Sequence, residues 1–444
     1  MAMGPITRAS SSPATSDAPA GQTFRSALIL LASLFFMWGF ATVLNNTLLP
    51  HLKAVFDLNY AQTTLIESVW FIAYFVASIP SAWLIERIGY KLSMVVGLVI
   101  MAIGTAMMVP ASAIPSYPFF LLSLFVIAAG ITLLQVAANP YVAVVGPPQS
   151  ASARLNLVQS LNSLGTLLAP GFGGWLILRR SLSGNAAAGA AALTKAQRLA
   201  DAHSVQLPYL LIGAVLLALA VVIARFKLPE FGVATRRVAA EERRRHSLWS
   251  HRNLMFGIPA IFIYLIAEIG AANLFINFVS QKSIGDLTHA DAANYLTLLW
   301  GGMFVGRFVG SFVMRWVSPE KMLAWASVGA FVVMITVVFT TGHVALWALI
   351  SVGLFHSIMF PTIFTLGIKG LGPLTEEGSG LLIMAISGGA LVFVQGMLAD
   401  RIGLQLSFLL TAACELYVLF YALWGSRPSD VLPDLAMSGG GETS

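Results

Sequence analysis

Thr132-Leu-Leu-Gln135-Val-Ala-Ala-Asn139-Pro140 and, past a short loop, Arg154-Leu-Asn156-Leu-Val-Gln159-Ser-Leu-Asn162-Ser163-Leu-Gly165-Thr166 decide how this chain is read. Each part lies in an apolar run long enough to cross a bilayer as a helix. Within these runs Thr132, Gln135 and Asn139 recur at helical spacing, as do Asn156, Gln159, Asn162, Ser163 and Thr166. Hydrocarbon cannot satisfy amides and hydroxyls, so the two stripes must face each other, other helices or a watery cavity. An amide both donates and accepts hydrogen bonds, which suits a polyhydroxylated ligand better than a metal or a phosphate. The stretch reads as half of a sugar site between membrane helices.

The composition points the same way. Of 444 residues, 57% are hydrophobic and only 10% charged, whereas soluble domains carry roughly 25% charged residues. The net charge of +6 gathers in a few loops, so it reports membrane topology and no nucleic-acid partner is expected. The one cysteine, Cys414, excludes an internal disulfide and a cysteine-cluster metal site, and it reads as a small apolar helix residue.

Twelve apolar runs of about 20 residues can be counted along the chain. The expected fold is therefore all-α, with twelve transmembrane helices in two pseudo-symmetric halves of six. Residues 1–22, rich in Ser, Pro, Ala and Thr, are expected to be a disordered tail, with no cleaved signal peptide. Residues 23–228 form the N-terminal bundle, 229–252 a basic linker, 253–426 the C-terminal bundle and 427–444 a second tail. Arg87, Lys91, Arg154, Arg225, Arg315, Lys321, Lys369 and the arginines between Arg236 and Arg252 fall on one side. That bias places both termini in the cytoplasm. The linker reads either as a solvated connector or as an interfacial helix on anionic lipid.

The halves echo each other. The run from Ala82 through Glu86, Arg87, Gly89 and Lys91 has a counterpart running from Gly310 through Arg315 to Glu320 and Lys321. The fourth helix of each half carries a mid-span proline, Asn139-Pro140 and Phe360-Pro361. A repeated six-helix unit with a charged loop is the layout of major facilitator transporters, whose substrate sits between the halves.

Several motifs carry a closer likeness. Phe36-Met-Trp38-Gly39-Phe40, Leu44-Asn45-Asn46 and Leu134-Gln135-Val-Ala-Ala-Asn139-Pro140-Tyr141-Val142 resemble the fucose:proton symporter family of the major facilitator superfamily. The run Arg154 to Gly165, Ala292-Ala-Asn294-Tyr295-Leu, Gly306-Arg307-Phe308-x-Gly310 and Ser357-Ile-Met-Phe360-Pro361 extend the likeness across the chain. Gln135, Glu268 and Phe360 resemble its glucose/galactose branch. The resemblance implies alternating access and cation-coupled uptake of a hexose such as glucose or galactose. It also implies a multi-pass protein, a monomer set among membrane lipid in the bacterial inner membrane, with no cofactor besides the coupling ion. Its usual acidic coupling positions are occupied here by Asn46 and Gln135, neither of which exchanges a proton near neutral pH. The coupling ion is accordingly left as a proton or sodium, with an uncoupled facilitator or a small-molecule exporter on the same fold as alternatives.

Candidate residues sort into three groups. Trp38, Thr42, Asn45, Asn46, Gln135, Asn139, Gln159, Asn162, Asn273, Asn277 and Phe360 are expected at the sugar, amides reading hydroxyls and aromatic faces packing on the pyranose. The competing reading of the amides is hydrogen-bonded glue between helices. Glu67, Glu268 and His356 are candidates for coupling. Glu67 shares a face with Trp70, Tyr74, Ser78 and Ser81, and stands where relatives usually have Gln. On an ideal helix Glu268 turns away from Asn273 and Asn277, which a break at Gly270 would resolve. His356 reads either as a proton relay or as a hydrogen-bonded interior histidine, and Glu415 as a peripheral carboxylate. Glu86, Arg87, Arg154, Arg307 and Asp400 are expected in gates, Asp400 on the outer side. Enzyme classes are excluded: no His-Glu-x-x-His, Gly-x-Ser-x-Gly or phosphate-binding loop occurs.

Overall fold

In the computed structural model, residues 26–42, 60–113, 116–173, 206–226, 228 and 246–429 are described, and they are helical almost throughout, with no strand among them. The tail 1–22, Asn45, Asn46, linker residues 229–245 and the side chain of Glu67 lie outside the described residues. Helix α1 is Ser26–Thr42, followed by α2 (Tyr60–Ala113), α3 (Tyr117–Val144), α4 (Ala151–Gly173) and α5 (Gln206–Arg225). The second half holds α6 (Arg252–Asn273), α7 (Phe275–Val279), α8 (His289–Val313), α9 (Pro319–Phe339) and α10 (Gly342–His356). It continues with α11 (Met359–Ile368), α12 (Thr375–Met384), α13 (Val392–Ile402) and α14 (Leu404–Phe420).

Among the described residues, eight helical stretches are long and apolar enough to cross a membrane. One of them, Ser68–Ala111, has 44 residues, about 66 Å of helix against a hydrocarbon core of about 30 Å. It is broken at Gly89, whose φ of 82° and ψ of 169° only a residue without Cβ adopts readily. Gly403, with φ 94° and ψ 149°, makes the same turn between α13 and α14. Glu86-Arg87-Ile88-Gly89 and Asp400-Arg401-Ile402-Gly403 thus end in one backbone geometry.

Small residues let the helices of each half approach closely. A Cβ on Gly97 would lie 3.1 Å from the Gly130 carbonyl oxygen, and one on Gly130 would lie 2.8 Å from that of Gly97. Between membrane helices such van der Waals contact replaces the hydrophobic drive that water supplies elsewhere. The outward faces carry Phe75, Val76, Trp83, Val221, Trp325, Phe339 and Trp347, all exposed, as a lipid-facing wall requires.

The two halves meet where α4 packs on α8 and α11, and where α2 packs on α12 and the turn Ala385–Leu391. At the end of the molecule near the α3–α4 loop, hydrogen bonds cross between them. Ser152 Oγ and Thr365 Oγ1 lie 2.6 Å apart, Asn156 Nδ2 donates to Thr362 Oγ1 at 3.3 Å, and Tyr90 OH donates to Glu376 Oε1 at 3.1 Å. A Cβ on Gly380 would sit 3.2 Å from the Ser78 carbonyl oxygen. This end is closed.

Candidate functional site

A cavity of about 260 Å³ lies between the halves, lined by Trp38, Thr42, Trp70, Tyr74, Gln135, Gln159 and Asn162 from the first half and Glu268, Asn273, Arg307 and Phe360 from the second. Ligand sites for drug-sized molecules run from roughly 300 to 1,000 Å³, so this volume suits a small ligand. Leu265, Ile269, Phe71 and Ile386 complete an apolar part of the wall.

The polar stripe of α3 and α4 divides into three jobs. Gln135, Gln159 and Asn162 reach the cavity. Gln135 Nε2 donates to the Tyr74 hydroxyl, and Asn162 Nδ2 donates to the Phe35 carbonyl at 3.0 Å, so Asn162 also ties α4 to α1. A second group stands behind the wall. Asn139, expected at the sugar, is fully buried, and its Oδ1 accepts from Gln159 Nε2 at 3.2 Å. Thr132 spends its hydroxyl on the Ala128 carbonyl one turn back. The third job is closure: Asn156 points at Thr362 and Met314 in the opposite half. The stripe is a site and an interface at once.

Trp70, which helical spacing places on the Glu67 face, adds a signal of its own. Its indole Nε1 is buried at the cavity wall without a hydrogen-bond partner among the described residues. Buried N–H groups are ordinarily paired, so this donor is poised for a ligand acceptor.

In the second half α6 runs unbroken to Asn273, and the chain turns only at Leu274. Of the two possibilities for Glu268, a break at Gly270 or pairing elsewhere, the break does not occur. Gly270 instead admits Gln395 of α13, whose Oε1 would lie 1.9 Å from a Cβ there. Glu268 and Asn273 both line the cavity, although an ideal helix separates them by roughly 140°. The cavity wraps around the end of α6, so no break is needed. Asn277, in the short α7, is exposed and is not among the lining residues.

Arg307, expected in a gate, lines the cavity and bridges the halves. Its Nε donates to the Ser357 carbonyl at 2.8 Å and its Nη1 to Ser163 Oγ at 2.6 Å. Arg154, also expected in a gate, works within one half. Its Nε donates to the Val142 carbonyl at 3.1 Å, Nη2 to that of Ala143 at 2.6 Å and Nη1 to that of Pro147 at 2.7 Å. Those of Val142 and Ala143 are left over at the end of α3, and a cation there also meets the negative pole of the helix. Arg87 and Asp400 are exposed and Glu86 is half-buried. His356 lies off the cavity, 2% exposed, with its Nε2 at 2.8 Å from Glu415 Oε1. Glu415 is therefore buried, not peripheral, because α14 turns that face inward.

Residues 29–393 match the Major Facilitator Superfamily family description. The chain belongs to the major facilitator superfamily. It is accordingly an all-helical, multi-pass membrane protein. Among major facilitator proteins it is 44% identical over 416 residues to a glucose/galactose transporter of Brucella abortus, covering 94% of this chain and 98% of that one. It is 36% identical over 433 residues to the L-fucose-proton symporter of Escherichia coli, covering 93% and 96%. The crystal structure of the major facilitator transporter FucP in the outward conformation superposes with a TM-score of 0.81 at 34% identity, covering 91% of this chain and 100% of that one.

Proposed function

We propose that this protein is a secondary active transporter that moves a hexose such as glucose or galactose across the bacterial inner membrane by alternating access, driven by a proton gradient. The observation that carries the reading is the cavity itself, where the amides of Gln135, Gln159 and Asn162 converge with the rings of Trp38, Trp70 and Phe360. Amides match the mixed donors and acceptors of sugar hydroxyls, and aromatic faces match the C–H faces of the ring. Relatives named glucose/galactose transporter and L-fucose-proton symporter support the substrate class and the coupling.

In this reading the helices make twelve crossings, with α2 folded at Gly89 as two and α6–α7, α10–α11 and α12–α13 as one each. In the same reading the basic loops mark the Ser152–Thr365 end as cytoplasmic, so the closed end faces inward. The protein acts as a monomer in membrane lipid and needs no cofactor besides the coupling ion.

The replacement of acids by Asn46 and Gln135 favours one second reading, a sodium-coupled or uncoupled carrier. Uptake of radiolabelled hexoses by proteoliposomes under imposed gradients separates these. Accumulation that follows an inward proton gradient supports the proposal. Accumulation that follows sodium alone, or mere equilibration, replaces it with the second reading. No uptake and no counterflow of any hexose overturns the transporter reading.

A further inference from the structure

The cavity leaves out a carboxylate buried completely behind it. Glu415 of α14 is fully shielded, its Oε1 2.8 Å from His356 Nε2, and its Oε2 has no hydrogen-bond partner among the described residues. An acid withdrawn from both water and lipid headgroups is costly unless neutralised, and such groups in membrane helices mark functional paths. Holding α10 to α14 needs no acid, since an amide at 415 makes the same contact. An acid facing a histidine adds the capacity to hold a proton.

The pair connects physically to the sugar cavity. His356 is the last residue of α10, where the helix breaks before α11. Pro361 has no N–H to offer the Ser357 carbonyl, so the break leaves two carbonyls to other partners. Tyr264 OH donates to that of His356 at 2.9 Å, and Arg307 Nε donates to that of Ser357 at 2.8 Å. The Tyr264 ring also meets the imidazole edge-on at 5.6 Å, and Glu268, one turn further along α6, lines the cavity wall. These are the ionisable groups around the pair: Tyr264 and Glu268 on α6, Arg307 on α8, and Cys414 and Tyr417 on α14 itself. Helices α9 and α13 also pack here, but their charged residues, Glu320, Lys321, Asp400 and Arg401, lie at their ends, as does His343 on α10.

We propose that the His356–Glu415 pair carries the coupling proton, and that the break between α10 and α11 reports its state to the sugar cavity. This rests on the proton-symport reading above. With one proton the pair is neutral. Release of that proton to water leaves a carboxylate beside a neutral imidazole, one net negative charge in an apolar interior. Arg307 is the cation at this break, holding the carbonyl next to His356 and, through Ser163, the opposite half. Proton loss therefore pulls on a tie between the halves, and linkage makes the tie and the proton affinity depend on each other.

The test uses full-length protein in proteoliposomes, with wild type beside Glu415→Gln, His356→Gln and the double variant, each checked for monodispersity and glucose-induced thermal stabilisation. Two readouts are compared: proton movement accompanying glucose uptake, and glucose counterflow without a gradient. The proposal expects the folded variants to lose proton movement and gradient-driven accumulation by more than about tenfold, with counterflow reduced far less. A folded Glu415→Gln protein that still accumulates glucose with the wild-type pH profile overturns it. Failure of all three variants to fold also overturns it, because a pair that tolerates no neutral form cannot take up its proton in every cycle. If wild type itself moves no protons, the symport reading fails first, and that result is distinct from either.

Discussion

Arg307 donates its Nε to the Ser357 carbonyl at 2.8 Å, the acceptor that Pro361 leaves open four residues later. One side chain thus repairs a break in its own half and, through Ser163, grips the other half at 2.6 Å. A lysine offers one compact cation in place of a fork and cannot serve both acceptors in this geometry. Arg307→Lys is expected to weaken hexose binding by about tenfold, the effect of roughly one lost charge-assisted hydrogen bond. Titration by intrinsic tryptophan fluorescence measures it, and unchanged affinity would show that Arg307 is only a structural tie.

Pro361→Ala tests the same break from the other side. Alanine restores an N–H to the Ser357 carbonyl, and an interior proline costs a helix about 3 kcal/mol. The variant is expected to unfold at a higher temperature and to transport more slowly, because a continuous α10–α11 helix resists rearrangement. Unfolding temperature and initial uptake rate read out the two halves of this prediction.

Three amides separate wall from support. Gln159→Ala and Asn162→Ala remove groups that line the cavity, whereas Asn139→Ala removes one that only orients Gln159. A buried hydrogen bond left unmade costs about 1–3 kcal/mol, so the first two should weaken sugar binding roughly 5- to 150-fold. Asn139→Ala should cost less in affinity. Glucose-dependent thermal shifts rank the three, and an Asn139 effect larger than that of Gln159 would reverse the assignment.

Close approach of α1 and α4 sets the position of Asn162. A Cβ on Gly39 would lie 2.3 Å from the Asn162 carbonyl oxygen, and one on Gly165 would lie 2.3 Å from that of Phe36. Both contacts are with backbone, which cannot swing aside. Gly39→Ala and Gly165→Ala are each expected to destabilise the protein by about 1–3 kcal/mol through overpacking. Thermal unfolding in detergent checks this.

Hydrogen bonds between the halves help hold the closed end, and each is weak enough to break and re-form. Tyr90→Phe and Thr365→Val remove the contacts to Glu376 and Ser152. At about 0.5–1.5 kcal/mol each, their loss should shift the balance of open and closed states by roughly 2- to 12-fold per bond. Spin labels on the exposed residues Arg87 and Lys321 are expected to report a larger population of long distances in these variants.

Much of the fold was legible because helices in lipid must satisfy their own backbone, so length and hydropathy alone mark them. Gln135, Gln159 and Asn162 were legible for a related reason: spacing along one helix fixes which residues share a face. The same spacing grouped Asn139, Asn156 and Thr132 with them, yet these three turn to a supporting, a bridging and a self-satisfied role. Gly270 suggested a broken helix because glycine is a poor helix former, but the space it vacates is filled by Gln395 from a helix more than a hundred residues away.

The sequence by itself determined an all-helical membrane chain with a stripe of amides, one family likeness, and two acid positions replaced by amides. The helical chain and its amide stripe follow from composition and periodicity, which are properties of a single helix, and the two replaced acids are what the family resemblance implies. Only the tertiary structure decided that Glu415 is buried against His356, 59 positions away, and that Arg307 crosses to Ser163, 144 positions away. Nor does any local pattern make Arg154 a cap on α3. A charged side chain in a membrane protein is defined by the partner that neutralises it, and which helix brings that partner is settled by how the whole bundle packs.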